Sequence, residues 1–214
     1  MHNGAFKSRP FSEPKLVIAT HNSGKMKEIK DLLSFVDTQL LSAIDLNLPV
    51  PIEDGTTFEE NALIKASTIA IKTGFPSMSD DSGLCVEALG GDPGVYSADW
   101  AGPNRDFGAA INKLQNRMMN TSSSKMGASF VCTLCIAWPD GHYEFAKGEV
   151  KGRITFPPRG NNGFGYDPVF IPFKQPSKES NFTYGEMDVE FKNNNSHRSA
   201  AFSLLLKKCF PNIL

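Results

Sequence analysis

Two adjacent carboxylates, Asp80 and Asp81, stand in the run SDDSG at residues 79–83. A pair of acids can hold a divalent cation and accept a proton from attacking water, which are the two needs of anhydride hydrolysis. Magnesium asks for only one or two carboxylates beside substrate phosphates, so Asp81 and an acid from PIEDG at residues 51–55 would suffice. A turn in which Asp80 or Asp81 caps backbone N–H groups accounts for the same letters. In ATHNSGKM, residues 19–26, the groups of Thr20, Asn22, Ser23 and Lys25 suit a triphosphate tail, although a solvated turn fits the local pattern equally well. This is not a Walker A loop, which would need glycine at Ala19 and a hydroxyl residue at Met26. Two further groups stand out: Lys65, at the edge of an apolar helical stripe, and the cations His197 and Arg198 directly after Ser196.

The elements that must position these residues are legible from periodicity and punctuation. KLVIAT reads as a buried strand, HNSG as a turn and KMKEIKDLLSF as a helix. At such a strand–loop–helix junction, free N–H groups and the helix dipole favour an anion. The segment TTFEENALIKASTIAIKTG predicts a helix opened by a Thr56–Glu59 capping box and closed by Gly74 and Pro76. Its apolar stripe is Phe58, Ala62, Ala66 and Ile69, with Lys65 at the edge, where a lysine laying its stem over the core is the plain reading. SDDSG then leads into a strand, LCVEAL, followed by the turn GGDPG and an amphipathic helix over NRDFGAAINKLQNRMM. KMGASFVCTLCIAW and YEFAKGEVKGRITF alternate like a hairpin joined at PDGH. The stretch PPRGNNGFGYDPVFIP is too rich in glycine and proline to be regular. The last helix, SHRSAAFSLLLKKCF, is capped by Ser196. His197 and Arg198 in its first turn oppose the dipole at a cost of a few tenths to about 1 kcal/mol, so something should compensate them.

Strands alternating with helices argue for an α/β domain, and 214 residues suit one compact unit spanning 14–214 behind a disordered tail over 1–13. With 22 basic against 23 acidic residues and no polybasic run, binding to a nucleic-acid polymer has little electrostatic support. No apolar run reaches the roughly 20 residues of a membrane span, and the first 14 residues lack a secretory apolar region, so the expected location is cytoplasmic. Of the four cysteines, Cys132 and Cys135 form a C-x-x-C inside a strand, where positions three apart face opposite ways; a structural role is expected.

Over nearly all of residues 15 to 210 the chain resembles the inosine triphosphatase family of house-cleaning nucleotide pyrophosphatases, also called the Ham1 or dITP/XTP pyrophosphatase family. VIATHNSGKMKEI, TTFEENALIKA, SDDSGLCVEALGGDPGVYSA, GFGYDPVF and SHRSAAF stand in family order. The resemblance implies cleavage of a non-standard purine nucleoside triphosphate, such as ITP, dITP or XTP, to the monophosphate and pyrophosphate. It also implies magnesium dependence, a homodimer, and an elongated mixed sheet whose flanking helices form two lobes around a central cleft. Carried onto this sequence, it puts the triphosphate on Thr20, His21, Asn22, Ser23, Gly24 and Lys25, and turns Lys65 from a core-edge lysine into a phosphate-facing one. Glu53 helps to hold the metal, Asp81 is metal-associated and the general base, Asp80 is a supporting acid, and Ser82 meets the substrate. Phe164, Gly165, Tyr166 and Asp167 stack on and border the base, which Lys192, His197 and Arg198 read.

Hypoxanthine and xanthine present a 6-keto acceptor where adenine presents an amino donor, so a donor-only arginine leaves adenine with donor facing donor. Guanine shares the keto group, so its refusal must rest on the 2-amino group. The chain departs from the pattern at Asp99, where many relatives carry arginine, and in the asparagine-rich FKNNNSHR. Two other readings are weighed against this one. A Maf-like pyrophosphatase sits poorly with the Ser-His-Arg cluster, and a silent nucleotide-binding module with the joint presence of Glu53, Lys65 and Asp81.

Overall fold

The computed structural model describes residues 8–211 apart from 21 and 35, and no side chain is described at Ser23. In chain order the main elements are β1 (Lys15–Ile18), α1 (Ser23–Leu32), β2 (Gln39–Ser42), α2 (Phe58–Thr73) and β3 (Ser77–Val86). Then come α3 (Phe107–Met119), β4 (Gly127–Ala137), β5 (Tyr143–Ile154), β6 (Phe170–Pro172), α4 (Val189–Asn194) and α5 (His197–Cys209). The strands form one mixed sheet in the order β2-β1-β3-β4-β5-β6. β1 pairs in parallel with β2 and β3, while β3–β4, β4–β5 and β5–β6 are antiparallel. This is a mixed α/β fold, as strands alternating with helices predicted.

Strand alternation sorts the core into layers. Leu16, Ile18, Met78, Leu134 and Ile136 pack with α1 and α5 on one face of the sheet. Val17 with Ile69, and Cys135 and Ala137 with Ala62, Ala66 and Ala70, pack on the other, under α2. A separate cluster at the far end gathers Leu84, Leu114, Phe130, Tyr166, Phe170 and Tyr184. Cys132 and Cys135 fall on opposite faces of β4, and burial pushes the Cys132 thiol up to about 12, so the pair is structural.

Four details differ from the sequence reading. The stretch PPRGNNGFGYDPVFIP, read as irregular, ends in β6, whose Phe170–Pro172 pair with the end of β5. The capping box of α2 is Thr57 with Glu60, one residue later than expected, and Thr56 adds its own amide and hydroxyl to the Glu60 carboxylate. SDDSG does not precede a strand; β3 runs through it, because the register with β4 is continuous from Ser77 to Val86. Residues 9–13, assigned above to the tail, lie on the core: Phe11 packs on Trp138 and Phe210, the Arg9 guanidinium sits 4.6 Å from the Trp138 ring, and the Trp138 indole N–H donates to Glu13 at 2.6 Å. Aromatic contacts between segments remote in sequence leave no local periodic signal.

Candidate active site

The sheet opens a site at β3. β1 reaches only Ser77 and Met78, whereas β4 accompanies β3 throughout. From Ser79 to Leu84 one edge of β3 therefore carries no strand among the described residues, and the chain leaving β1 turns there into α1. Ligands of open α/β sheets bind outside the carboxyl ends of strands, where neighbouring connections diverge. Gly83 suits the same crowded edge: a Cβ there would collide with the Gly94 carbonyl oxygen and the Ser97 hydroxyl.

Adjacent strand residues point to opposite faces, so the two aspartates part company. Asp80 faces α1 and α5. Its Oδ2 meets the Lys25 ammonium at 3.0 Å, the Arg198 Nη2 at 3.1 Å and the Ser82 hydroxyl at 3.2 Å, while Oδ1 is buried without a partner among the described residues. Burial would raise its pKa, but Lys25, Arg198 and Lys65 hold it well below the usual carboxylate range. Arg198 is 2% exposed and its Nη1 donates to Glu28, a residue of α1 that also lies 3.8 Å from the Lys192 ammonium. Asp80 and Glu28 thus compensate the Arg198 cation at the α5 N-terminus. Glu28 was missed in the sequence; its signal is the i, i+3 spacing with Lys25 on one face of α1.

Asp81 faces α2. The Lys65 ammonium donates to its Oδ1 at 3.1 Å and to Glu53 Oε2 at 2.6 Å, and Asn61 Nδ2 lies 3.4 Å from its Oδ2. Lys65 is 7% exposed, so it does not carry its ammonium out to water; it delivers a buried charge between two acids. Burial alone would lower its pKa, yet Asp81, Asp80 and Glu53 outweigh that and raise it. For Asp81, burial wins over Lys65 and Lys25, with Glu53 adding to the rise, and its pKa moves up to about 6. That value suits a proton acceptor near neutrality.

At the phosphate loop, Asn22 caps α1: its Oδ1 accepts from the Gly24 and Lys25 amides at 3.0 and 3.2 Å. Those two N–H groups, expected to be free, are therefore occupied. His21 and the Ser23 side chain lie outside the described residues. At the other end, Asp167 Oδ2 accepts from the Lys192 ammonium and the Phe164 amide, each at 2.8 Å. Burial raises the Asp167 pKa despite Lys192. Gly163, at φ +76°, lies so close to this carboxylate that a Cβ would strike it. The Lys192 ammonium lies 4.8 Å from the exposed Phe164 ring, and the Tyr166 hydroxyl donates to the Ser97 carbonyl at 3.1 Å. His197 stacks on Phe130, with centroids 4.9 Å apart and planes at 12°; burial, Arg198 and Lys192 keep its pKa low, so the ring is neutral.

One cleft gathers these groups. Thr20, Asn22, Lys25, Glu53, Lys65, Asp80, Asp81 and Ser82 line it with Phe164, Gly165, Tyr166, Asp167, Lys192, His197 and Arg198. Gly24 stands behind, where a Cβ would touch the Phe164 ring at 3.5 Å. Phe130, Ser97 and Asn61, which the sequence reading did not single out, also line the cleft, as does the variant position Asp99. Among the described residues no three metal-capable side chains converge. Glu53 and Asp81 share the Lys65 ammonium, whereas Asp80 is turned to the opposite face.

The Ham1 family model matches residues 16–208. The dITP/XTP pyrophosphatase of Rhodospirillum centenum is 49% identical, covering 94% of this chain and 98% of its own length. That of Rhizobium meliloti is 46% identical with the same coverage, 94% and 98%. Among solved structures, a HAM1 protein from Coxiella burnetii superposes with a TM-score of 0.83 at 34% identity, covering 91% of this chain and 98% of its own. The Staphylococcus aureus Ham1 protein does so at 0.78 and 36%, covering 90% and 96%.

Proposed function

This chain belongs to the Ham1 family, and from that premise we propose that it is a magnesium-dependent pyrophosphohydrolase of non-standard purine nucleoside triphosphates, acting on ITP, dITP and XTP. The observation that carries the reading is the placing of Asp81: a buried carboxylate on a cleft wall that also bears Lys65, 3.1 Å away, and Glu53, with burial pushing its pKa up. The triphosphate lies along residues 20–25 with Lys25 and Lys65 offsetting its charge. Asp81 takes the proton of a water that attacks the α-phosphorus; the bond to the bridging oxygen breaks and pyrophosphate leaves. Carboxylate oxygens are the donors magnesium prefers, and Glu53 and Asp81 already share one positive charge, so the pair fits that ion. Glu53 and Asp81 would hold the magnesium, which supplies offset of phosphate charge and acidification of bound water. Asp80 acts at one remove, by fixing Lys25 and Arg198.

The base end follows the same logic. Phe164 offers an exposed ring for stacking, with Tyr166 and Asp167 bordering it, while Lys192, His197 and Arg198 present donors to a 6-keto oxygen. Two apolar clusters, one around Trp138 and one around Tyr184, support a reading of two lobes with the cleft between them. The family resemblance supports a homodimer working on the cytoplasmic nucleotide pool, and no described helix is long and apolar enough to cross a membrane. The test is pyrophosphate release with magnesium across ITP, XTP, GTP, ATP and dTTP. Release from ITP and XTP well above ATP and dTTP is expected; equal rates across the panel, or a preference for dTTP, would refute the assignment.

A further inference from the structure

We infer that Asn61 is a positioning residue for Asp81, gripping the second oxygen of its carboxylate and tying it to the loop that carries Glu53. The inference rests on the function proposed above. Asn61 and Lys65 stand one turn apart on α2 and meet the two oxygens of Asp81 separately, Lys65 at Oδ1 and Asn61 at Oδ2. Both oxygens are thus addressed from a single helix, which limits rotation of the carboxylate about its own axis. The other end of the Asn61 amide is also engaged: Oδ1 accepts the Gly55 backbone N–H at 2.9 Å. That contact fixes which way the amide points. Reversed, it would set its NH2 against the Gly55 N–H and its oxygen against a carboxylate, so Nδ2 must face Asp81.

The side chain is 4% exposed, which leaves little water to substitute for either contact. Gly55 follows Glu53 by two residues, so one amide holds the loop bearing one acid against the strand bearing the other. An asparagine does this without a charge of its own. Lysine or arginine here would add a second cation beside Lys65, and aspartate would set a third negative group against Asp81.

The test is a double-mutant cycle read as pyrophosphate release from ITP under saturating magnesium, with wild type, Asn61→Ala, Asp81→Asn and the double variant. Asn61→Ala is expected to lower kcat by about 10- to 100-fold with KM within about threefold, the signature of a misplaced reacting group. If Asn61 works through Asp81, removing it from Asp81→Asn changes the residual rate by less than about twofold. Should Asn61→Ala fail to fold, Asn61→Leu takes its place, since it keeps close to the volume of the side chain, adds no charge and removes the donor to Asp81. The same fold-loss in both backgrounds, or wild-type kcat in a folded Asn61 variant, overturns the inference alone. A wild-type chain that releases no pyrophosphate from ITP overturns the proposed function and this inference together.

Discussion

Replacing Lys65 by Met keeps the apolar stem and removes the charge, and the structure fixes what that should cost. The ammonium bridges Glu53 at 2.6 Å and Asp81 at 3.1 Å. The Glu53 side chain is 37% exposed, so water replaces the lost partner there and that half of the bridge contributes little. Asp81 is buried, with its pKa already near 6, and once Lys65 is gone its least costly course is to take up a proton. Protonation costs about 1.4 kcal/mol for each pH unit above the folded pKa, which caps the loss at about 3 kcal/mol at pH 8 and leaves little at pH 6. For a domain of this size, at about 2–4 °C per kcal/mol, the melting temperature falls by up to ~10 °C at pH 8 and by ~1–2 °C at pH 6. Turnover of ITP drops at least ~100-fold at both values, because the positive charge facing the phosphates is absent. Thermal melts and pyrophosphate release at the two pH values measure both effects. A melting shift of equal size at pH 6 and pH 8, or unchanged kinetics, would refute the reasoning and return Lys65 to the edge of the core.

Four further predictions follow from the same charges. Because the folded pKa of Asp81, about 6, stands above the ordinary value, its ionisation costs stability, which is lost as pH rises from about 4 through about 6; Asp81→Asn removes that slope and cuts turnover at least ~100-fold, checked by urea melts across pH and by pyrophosphate release. The same ionisation should give wild-type kcat/KM an acid limb near pH 6. Asp80 has the opposite sign: its folded pKa is depressed far below the ordinary value, so its contribution is whole above about pH 4 and declines below that by at most about 1.4 kcal/mol per pH unit; Asp80→Asn, which leaves Lys25 without its acid and Arg198 with Glu28 alone, destabilises the chain by about 3–5 kcal/mol at pH 7 and by about 1 kcal/mol less at pH 3, as denaturant midpoints should record. In Arg198→Gln a side chain with both a donor and an acceptor replaces a donor-only one, so kcat/KM for ITP falls by about 1.5–3 kcal/mol while ATP stays low or rises slightly, and an unaltered ITP to ATP ratio would move base recognition to residues 164–167.

Local physics was readable from the letters. The strand and helix around ATHNSGKM, the apolar stripe of α2, the Gly74 stop, the hairpin at PDGH and the Ser196 cap all depend on a few neighbouring residues, and the structure contains them. The boundary of the α2 cap slipped by one residue because Thr56 and Thr57 offer the same hydroxyl, and only the backbone entering the helix chooses between them. The chemistry was legible as a set of residue types, and its order along the chain carried the family resemblance.

What the sequence could not decide was direction. Asp80 and Asp81 are neighbours in sequence and looked like one acidic pair, but a strand turns adjacent side chains to opposite faces, and the continuous pairing of β3 with β4 is a long-range contact. Tertiary structure therefore gave Asp81 to Lys65, Glu53 and Asn61, and Asp80 to Lys25 and Arg198. It also determined how each acid titrates: burial raises both, Lys25, Arg198 and Lys65 outweigh it at Asp80, and at Asp81 burial prevails with Glu53 adding to it. Glu28, Phe130 and Asn61 entered the site for the same reason: their partners, Arg198, His197 and Asp81, stand far away in sequence and are brought near only when the sheet closes its two faces.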